Sequence, residues 1–141
     1  MRFKNKKAFF EYEITDTIIA GMVLRGTEVK SIREGKLSFN DAYCIFEPDG
    51  LYVKNLHISE YTNGTCNNHD PMRDKKLLIK RKEMRKFNKS VAEKGFTIVP
   101  TQLYINDIGL IKIVIGLAKG KKLYDKRETI KKRDLERTNN F

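Results

Sequence analysis

Cys66-Asn67-Asn68-His69 sets two possible metal ligands close together. A zinc site takes three or four such ligands, and neither Cys44 nor His57 has a spacing that completes the set. With His57 and His69 the only histidines, no Ser/His/Asp or Cys/His constellation for nucleophilic catalysis emerges. Gly116-Leu117-Ala118-Lys119-Gly120-Lys121-Lys122 has glycines and lysines but lacks the spacing and the hydroxyl of a phosphate-cradling P-loop. Metal-dependent cleavage of a nucleic acid needs clustered carboxylates. The acids available for it, Glu11, Glu13, Glu28 and Asp70, lie in segments with better structural explanations. No catalytic residue, metal or cofactor is therefore expected.

The chemistry that stands out is cationic. The formal net charge is +11, and the sequence pI is about 9.7. Residues 1–70 hold 9 Lys and Arg against 10 Asp and Glu, whereas residues 71–141 hold 20 against 8. An excess confined to one half of a small chain points to a polyanionic partner, most often nucleic acid.

These charges must be carried by a small fold. A chain of 141 residues, 40% hydrophobic and 33% charged, suits one domain with one core and a heavily charged surface. The longest apolar run, Ile18 to Leu24, falls far short of the roughly 18 residues that span a membrane. The basic start Met1 to Lys7 leads into no signal-type stretch, so a cytoplasmic, membrane-free and monomeric protein is expected. Cys44 and Cys66 make no disulfide framework.

Alternation over Phe9–Ile14 predicts a strand with Phe10, Tyr12 and Ile14 facing the core. Ile18–Leu24 predicts a second strand. Residues 26–35 predict a short helix capped by Thr27 and closed by Gly35, with Val29 and Ile32 on one face. Tyr43–Glu47 and Leu51–Ile58 flank Pro48-Asp49-Gly50 as a hairpin, and residues 59–75 read as a long surface loop. Lys80–Glu93 predicts a helix whose stripe is Met84, Phe87 and Val91, ended by Gly95. Lys80, Arg81, Lys82, Arg85, Lys86 and Lys89 crowd its remaining surface. Phe96–Ile105 and Leu110–Ala118 form a second hairpin, and Gly116 marks a bulge or a close backbone approach. About six strands with two or three helices predict a mainly β, OB-like antiparallel barrel over residues 1–120. Residues 121–141 lack a core face: Leu123 and Ile130 are seven apart with nothing between them to complete a stripe. They are expected to form a flexible basic tail, disordered when free and helical on a partner.

Four blocks resemble, in order, the small protein B (SmpB) family. They are Asn5-Lys6-Lys7-Ala8 with Tyr12; Ala20-Gly21 with Gly26-Thr27-Glu28-Val29-Lys30-Ser31; Asp70-Pro71-Met72-Arg73-Asp74-Lys75-Lys76-Leu77-Leu78; and Ala118 to Arg127. The resemblance implies an OB-like barrel that binds the tRNA-like domain of transfer-messenger RNA and enters stalled ribosomes, without cofactor or catalysis. It implies RNA contacts at Asn5, Lys6, Lys7, Gly21, Glu28, Lys30, Ser31, Arg73, Lys76, Leu78, Lys112, Lys119 and Gly120. It places the tail in the empty mRNA channel, against small-subunit RNA at the decoding centre. Tail contacts are then expected from Lys121, Lys122, Tyr124, Asp125, Lys126, Arg127, Lys131, Lys132 and Arg133. Two positions depart from the family pattern: Ile19, where many relatives carry an acid, and Lys80, where many carry His or Asn. The alternative from composition is a general ribosome-associated or single-stranded RNA-binding OB protein.

Overall fold

The structure, a computed structural model, describes residues 2–61 and 68–120. Cys66 and the whole of residues 121–141, with their expected helix, lie outside the described residues. The chain runs β1 (Arg2–Lys4), α1 (Lys6–Glu11), β2 (Tyr12–Met22), α2 (Gly26–Arg33), β3 (Leu37–Ser38), β4 (Tyr43–Glu47), β5 (Gly50–Lys54), β6 (His57–Ile58), β7 (Lys75–Leu78), α3 (Arg81–Lys94), β8 (Thr97–Ile105) and β9 (Ile111–Gly120).

Antiparallel pairing follows the order β8-β4-β5-β7-β2-β9, and β9 returns to β8, so six strands close into a ring. β1 adds to β8, and β3 with β6 makes a separate pair. The mainly β reading holds, and the two or three helices expected are three. One continuous core includes Ile32, Leu51, Val53, Leu56, Ile58, Leu77, Phe87, Ile98, Leu103, Ile113 and Ile115. Burying each such side chain contributes about 1.5–3 kcal/mol. The alternation of Leu51 with Val53, and of Ile111, Ile113, Ile115 and Leu117, turns each set to this core.

The N-terminal segment departs from its pattern. Phe9 and Phe10 are not on a strand: they sit on α1 and are exposed, Phe10 by 66%. The Asn5 side chain caps this helix by accepting from the Ala8 N–H at 3.3 Å, and Ala8 packs against Val99 and Ala118. That cap and the small packed residue outweigh a six-residue alternation. The strand begins only at Tyr12, and β2 then runs unbroken through Asp16-Thr17 instead of splitting in two.

β2 stays continuous by bulging. Its register against β9 shifts between Ile14 and Thr17, opposite Gly116. A Cβ on Gly116 would stand 2.7 Å from Ile14 Cγ2 and 3.2 Å from the Asp16 carbonyl oxygen, so the close approach predicted there is real. Gly116→Ala is expected to destabilise by about 1–3 kcal/mol, as other overpacked sites do. Thermal melts check this. Adding Ile14→Ala, which removes the clashing methyl, should recover less than the full loss, because the Asp16 carbonyl stays in place.

Gly35 and Gly95 end α2 and α3 in the left-handed region, at φ +76° and +70°, as predicted. Thr27 does not cap α2. Arg25 is the N-cap, and its backbone N–H donates to the Glu28 carboxylate at 2.7 Å. The Phe87 side of α3 is buried as expected. The segment 59–75 is not all loop, because Lys75 opens β7, which sits between β5 and β2.

Candidate RNA interface

β2 lies between β7 and β9, and one row across the three strands reads Leu78, Gly21, Lys112. Gly21 carries no side chain, so a notch opens between its neighbours: a Cβ built there would be 3.5 Å from Leu78 Cβ and 3.9 Å from Lys112 Nζ. Leu78 points outward and is 56% exposed, and Ile19, two residues before Gly21 on β2, is 58% exposed. Leu78 is therefore no part of the core. The notch widens into a groove of about 740 Å³, whose lining includes Lys76, Lys80, Arg81, Met84 and Lys112. Exposed aliphatic side chains ringed by cations suit a polyanion with unstacked rings: phosphates meet the lysines, and a base face meets Leu78 or Ile19. Four sequence-predicted residues, Gly21, Lys76, Leu78 and Lys112, are brought together here. Both departures line the same groove, Ile19 from β2 and Lys80 from the N-cap of α3.

Four other predicted contacts turn inward. Asn5 is buried and its amide N–H donates to the Pro100 carbonyl at 2.8 Å. Ser31 is fully buried, and its hydroxyl has no partner among the described residues. Glu28 is fully buried and receives Arg73 through two bonds, Nη2 to Oε1 at 2.6 Å and Nε to Oε2 at 3.1 Å. Arg73 Nη2 also donates to the Val23 carbonyl at 3.1 Å. Burial pushes the Glu28 carboxyl up, but the Arg73 hydrogen bonds, the Arg25 N–H and the Arg73 and Lys75 charges outweigh it and hold the group below the usual range. Its oxygens are occupied by the fold, which removes Glu28 from any metal-ligand set. Asn5 and Glu28 are thus held by hydrogen bonds inside the fold, and Ser31 is enclosed without a partner among the described residues.

Nothing in the sequence pattern marks Lys75 as an interior residue. It is fully buried, and its Nζ donates to the Leu56 carbonyl at 2.5 Å. Burial pushes its ammonium down to about 8, with Glu28 opposing and Arg73 adding to that shift. His69, a possible metal ligand by sequence, is also structural. Nε2 faces the Ile58 carbonyl at 2.8 Å and so donates, which leaves Nδ1 to accept from the Thr27 hydroxyl at 2.8 Å. Beside it, the Asn68 amide clasps Tyr61, accepting from its N–H at 3.2 Å and donating to its carbonyl at 2.8 Å. His57 is half-buried on β6. Cys44 is a free core thiol, and burial pushes its pKa up, away from reactivity.

The remaining predicted cations are dispersed. Lys6 and Lys7 are exposed on α1, with Lys7 paired to Asp41 at 2.5 Å. Lys30 lies 5.4 Å from the Tyr61 ring centroid, and Lys119 lies 4.9 Å from that of Phe96. Lys119 and Gly120 are exposed at the end of β9. Among the described residues no three His, Cys, Asp or Glu side chains gather as a metal site, and no helix is long and apolar enough to cross a membrane.

A closed antiparallel ring with a basic, partly aliphatic groove on its outer surface defines a β-rich polyanion-binding module. Comparison with known proteins narrows the class. The family model described as "SmpB protein" matches residues 2–140. The SsrA-binding protein of Parabacteroides distasonis is 55% identical over 137 residues, covering 97% of this chain and 90% of that one. The SsrA-binding protein of Treponema denticola is 50% identical over 134 residues, covering 95% and 86%. A solved chain described as "tmRNA-SmpB: a journey to the center of the bacterial ribosome" superposes with a TM-score of 0.72 at 44% identity, covering 86% of this chain and 85% of that chain. The chain belongs to the SmpB family.

Proposed function

We propose that this protein binds the tRNA-like domain of transfer-messenger RNA through the Gly21–Leu78–Lys112 groove and carries that RNA to stalled ribosomes in the cytoplasm. The observation that carries the reading is the row Leu78–Gly21–Lys112: three residues from separate strands that make one notch suited to a base beside phosphates. The names of its relatives support the choice of RNA. The protein contributes shape and charge and no bond-breaking step. Residues 1–120 form the RNA-binding unit, and residues 121–141 meet small-subunit RNA in the empty mRNA channel.

Two measurements test this. RNA recovered with the protein from cells should be enriched in transfer-messenger RNA; a pool dominated by messenger or ribosomal fragments overturns the reading. Equilibrium binding to the tRNA-like RNA should fall steeply with salt, and Lys76→Gln with Lys112→Gln should flatten the log–log slope by about 1.4–1.8, at roughly 0.7–0.9 per lost phosphate contact. A slope equal to that of the unaltered chain would remove both lysines from the interface.

A further inference from the structure

The ring is least complete between β4 and β8. β4 pairs with β5 along all five of its residues but with β8 only at Cys44 opposite Ile98. From there β4 runs on to Glu47, past Thr97, where β8 begins. The opening is a groove of about 330 Å³, whose lining includes Asn88 and Val91 of α3. Tyr43, Ile45, Phe46 and Phe96 also border it, and none of its lining residues is charged. Tyr43 and Ile45 are 37% and 41% exposed. A concavity with apolar walls marks a binding site. Without a cation this one has nothing to hold a phosphate, so its occupant is not a nucleic acid.

What covers the groove follows from where the chain leaves the ring. β9 also runs beyond the start of β8: Ala118 stands opposite Thr97, and Lys119 and Gly120 lie past it. β4 and β9, the two neighbours of β8 in the ring, thus flank a space into which β8 does not extend. Strands two apart in a sheet lie roughly 10 Å from each other. Lys119 already leans into that space, with its Nζ 4.9 Å from the Phe96 ring centroid, and Phe96 borders the groove. Three extended residues cover about 10 Å. The third and fourth residues after Gly120 are Leu123 and Tyr124, the only adjacent pair of large apolar side chains in residues 121–141. The groove has the size of a small-ligand pocket, roughly 300–1,000 Å³, which suits one or two side chains and not a folded partner.

We infer that the β4–β8 groove is the seat of Leu123 and Tyr124 of the same chain, which anchors the root of the C-terminal segment to the ring. The inference does not depend on which RNA the protein binds. The RNA groove meets α3 at Arg81, Glu83 and Met84, whereas this one meets it at Asn88 and Val91, farther toward its C-terminal end. The anchor leaves residues 125–141 to reach a partner from a fixed starting point, set apart from the first RNA.

The chain has no Trp, so a single introduced indole reports on its own surroundings. Full chains carrying Tyr124→Trp or, as a control at the far end, Phe141→Trp are compared by emission wavelength and acrylamide quenching. The indole at position 124 should emit at shorter wavelength and be quenched several-fold less than the one at position 141. Nuclear Overhauser contacts should join it to the methyl groups of Ile45 and Val91. Adding Ile45→Asp places a carboxylate in the groove and should bring position 124 to the control values. Ile45 is 41% exposed, so the fold should survive, as circular dichroism checks; Ile45→Ser serves if it does not. Equal quenching at the two positions, or absence of the Overhauser contacts, overturns the inference. Burial at position 124 that survives both substitutions puts the seat elsewhere and overturns it too. Burial that grows with protein concentration gives the groove to a second copy's segment and sinks the intramolecular reading. None of these readouts uses RNA, so a failure of the proposed function leaves them standing.

Discussion

Ending the chain at Gly120 should abolish peptide transfer to transfer-messenger RNA on ribosomes that lack a sense codon, while leaving equilibrium binding to the tRNA-like RNA close to that of the full chain. The division comes from where the ring closes. Gly120 is the last residue of β9, still in register with Tyr12 of β2, so the ring is complete without residues 121–141. Gly21, Lys76, Leu78 and Lys112 all precede it. Residues 121–141 hold eight Lys and Arg, among them Lys121, Lys122, Lys126 and Arg127, against four Asp and Glu. In the proposed reading these cations meet the RNA walls of an empty channel. That couples the segment to the absence of mRNA. The two assays separate the outcomes. If the truncated chain still supports transfer, the segment only aids solubility. If binding and transfer fall together, the segment belongs to the first RNA site.

The second large effect is on stability. Arg73→Ala should cost about 3–5 kcal/mol, the penalty for stripping the partner from a buried charge. Glu28 has no exposed surface, and Arg73 supplies two of the bonds that satisfy it. In a domain of this size the loss lowers the melting temperature by roughly 10 °C or more. The dependence on pH carries the signature. In the native chain the Glu28 carboxyl is held below its ordinary value, so its contribution is present above that value and is lost as pH falls through the folded one. Without Arg73, burial dominates and raises the folded pKa, so the variant weakens as pH rises through that raised value. The stability gap between native chain and variant should therefore widen from acid to neutral pH. A gap independent of pH would show that Arg73 acts through packing, not charge. Arg73→Lys should not restore stability, because an ammonium cannot repeat the two-bond fork. RNA affinity measured well below the variant's melting temperature then tells whether Arg73 also touches RNA.

Regular features were legible in the sequence where a pattern repeats over enough residues. The stripe Met84, Phe87, Val91 with Gly95 gave α3, and two hairpins came from Pro48-Asp49 and from Asn106 to Gly109. Gly116 marked the bulge because only a missing side chain fits there. Short elements were not legible. β1 has three residues, two of them basic and exposed, and no period can be read from three. β7 hid inside a charged segment because its inward residue is Lys75, and lysine is almost never buried. The candidate site divided the same way. Residue type alone does not separate Lys76, which borders the groove, from Lys75, whose ammonium bonds a buried carbonyl. Alternation on a strand does separate them, but only once β7 is known to be a strand. Asn5, Glu28, Ser31 and Arg73 looked like polar contacts for a partner; three of them find their partners inside the fold, and Ser31 is simply enclosed.

The clasp between Tyr61 and Asn68 has a bearing on how this chain tolerates growth. The Asn68 amide imitates a backbone rung and ties the chain's departure point to its return, while His69 and Arg73 fasten the returning segment to α2. If the chain is lengthened between the clasped residues, the expected result is a fold kept by these bonds, at about 0.6 kcal/mol of closure entropy per doubling of the closed length. The seam between Tyr61 and Asn68 is therefore the place to insert an affinity peptide.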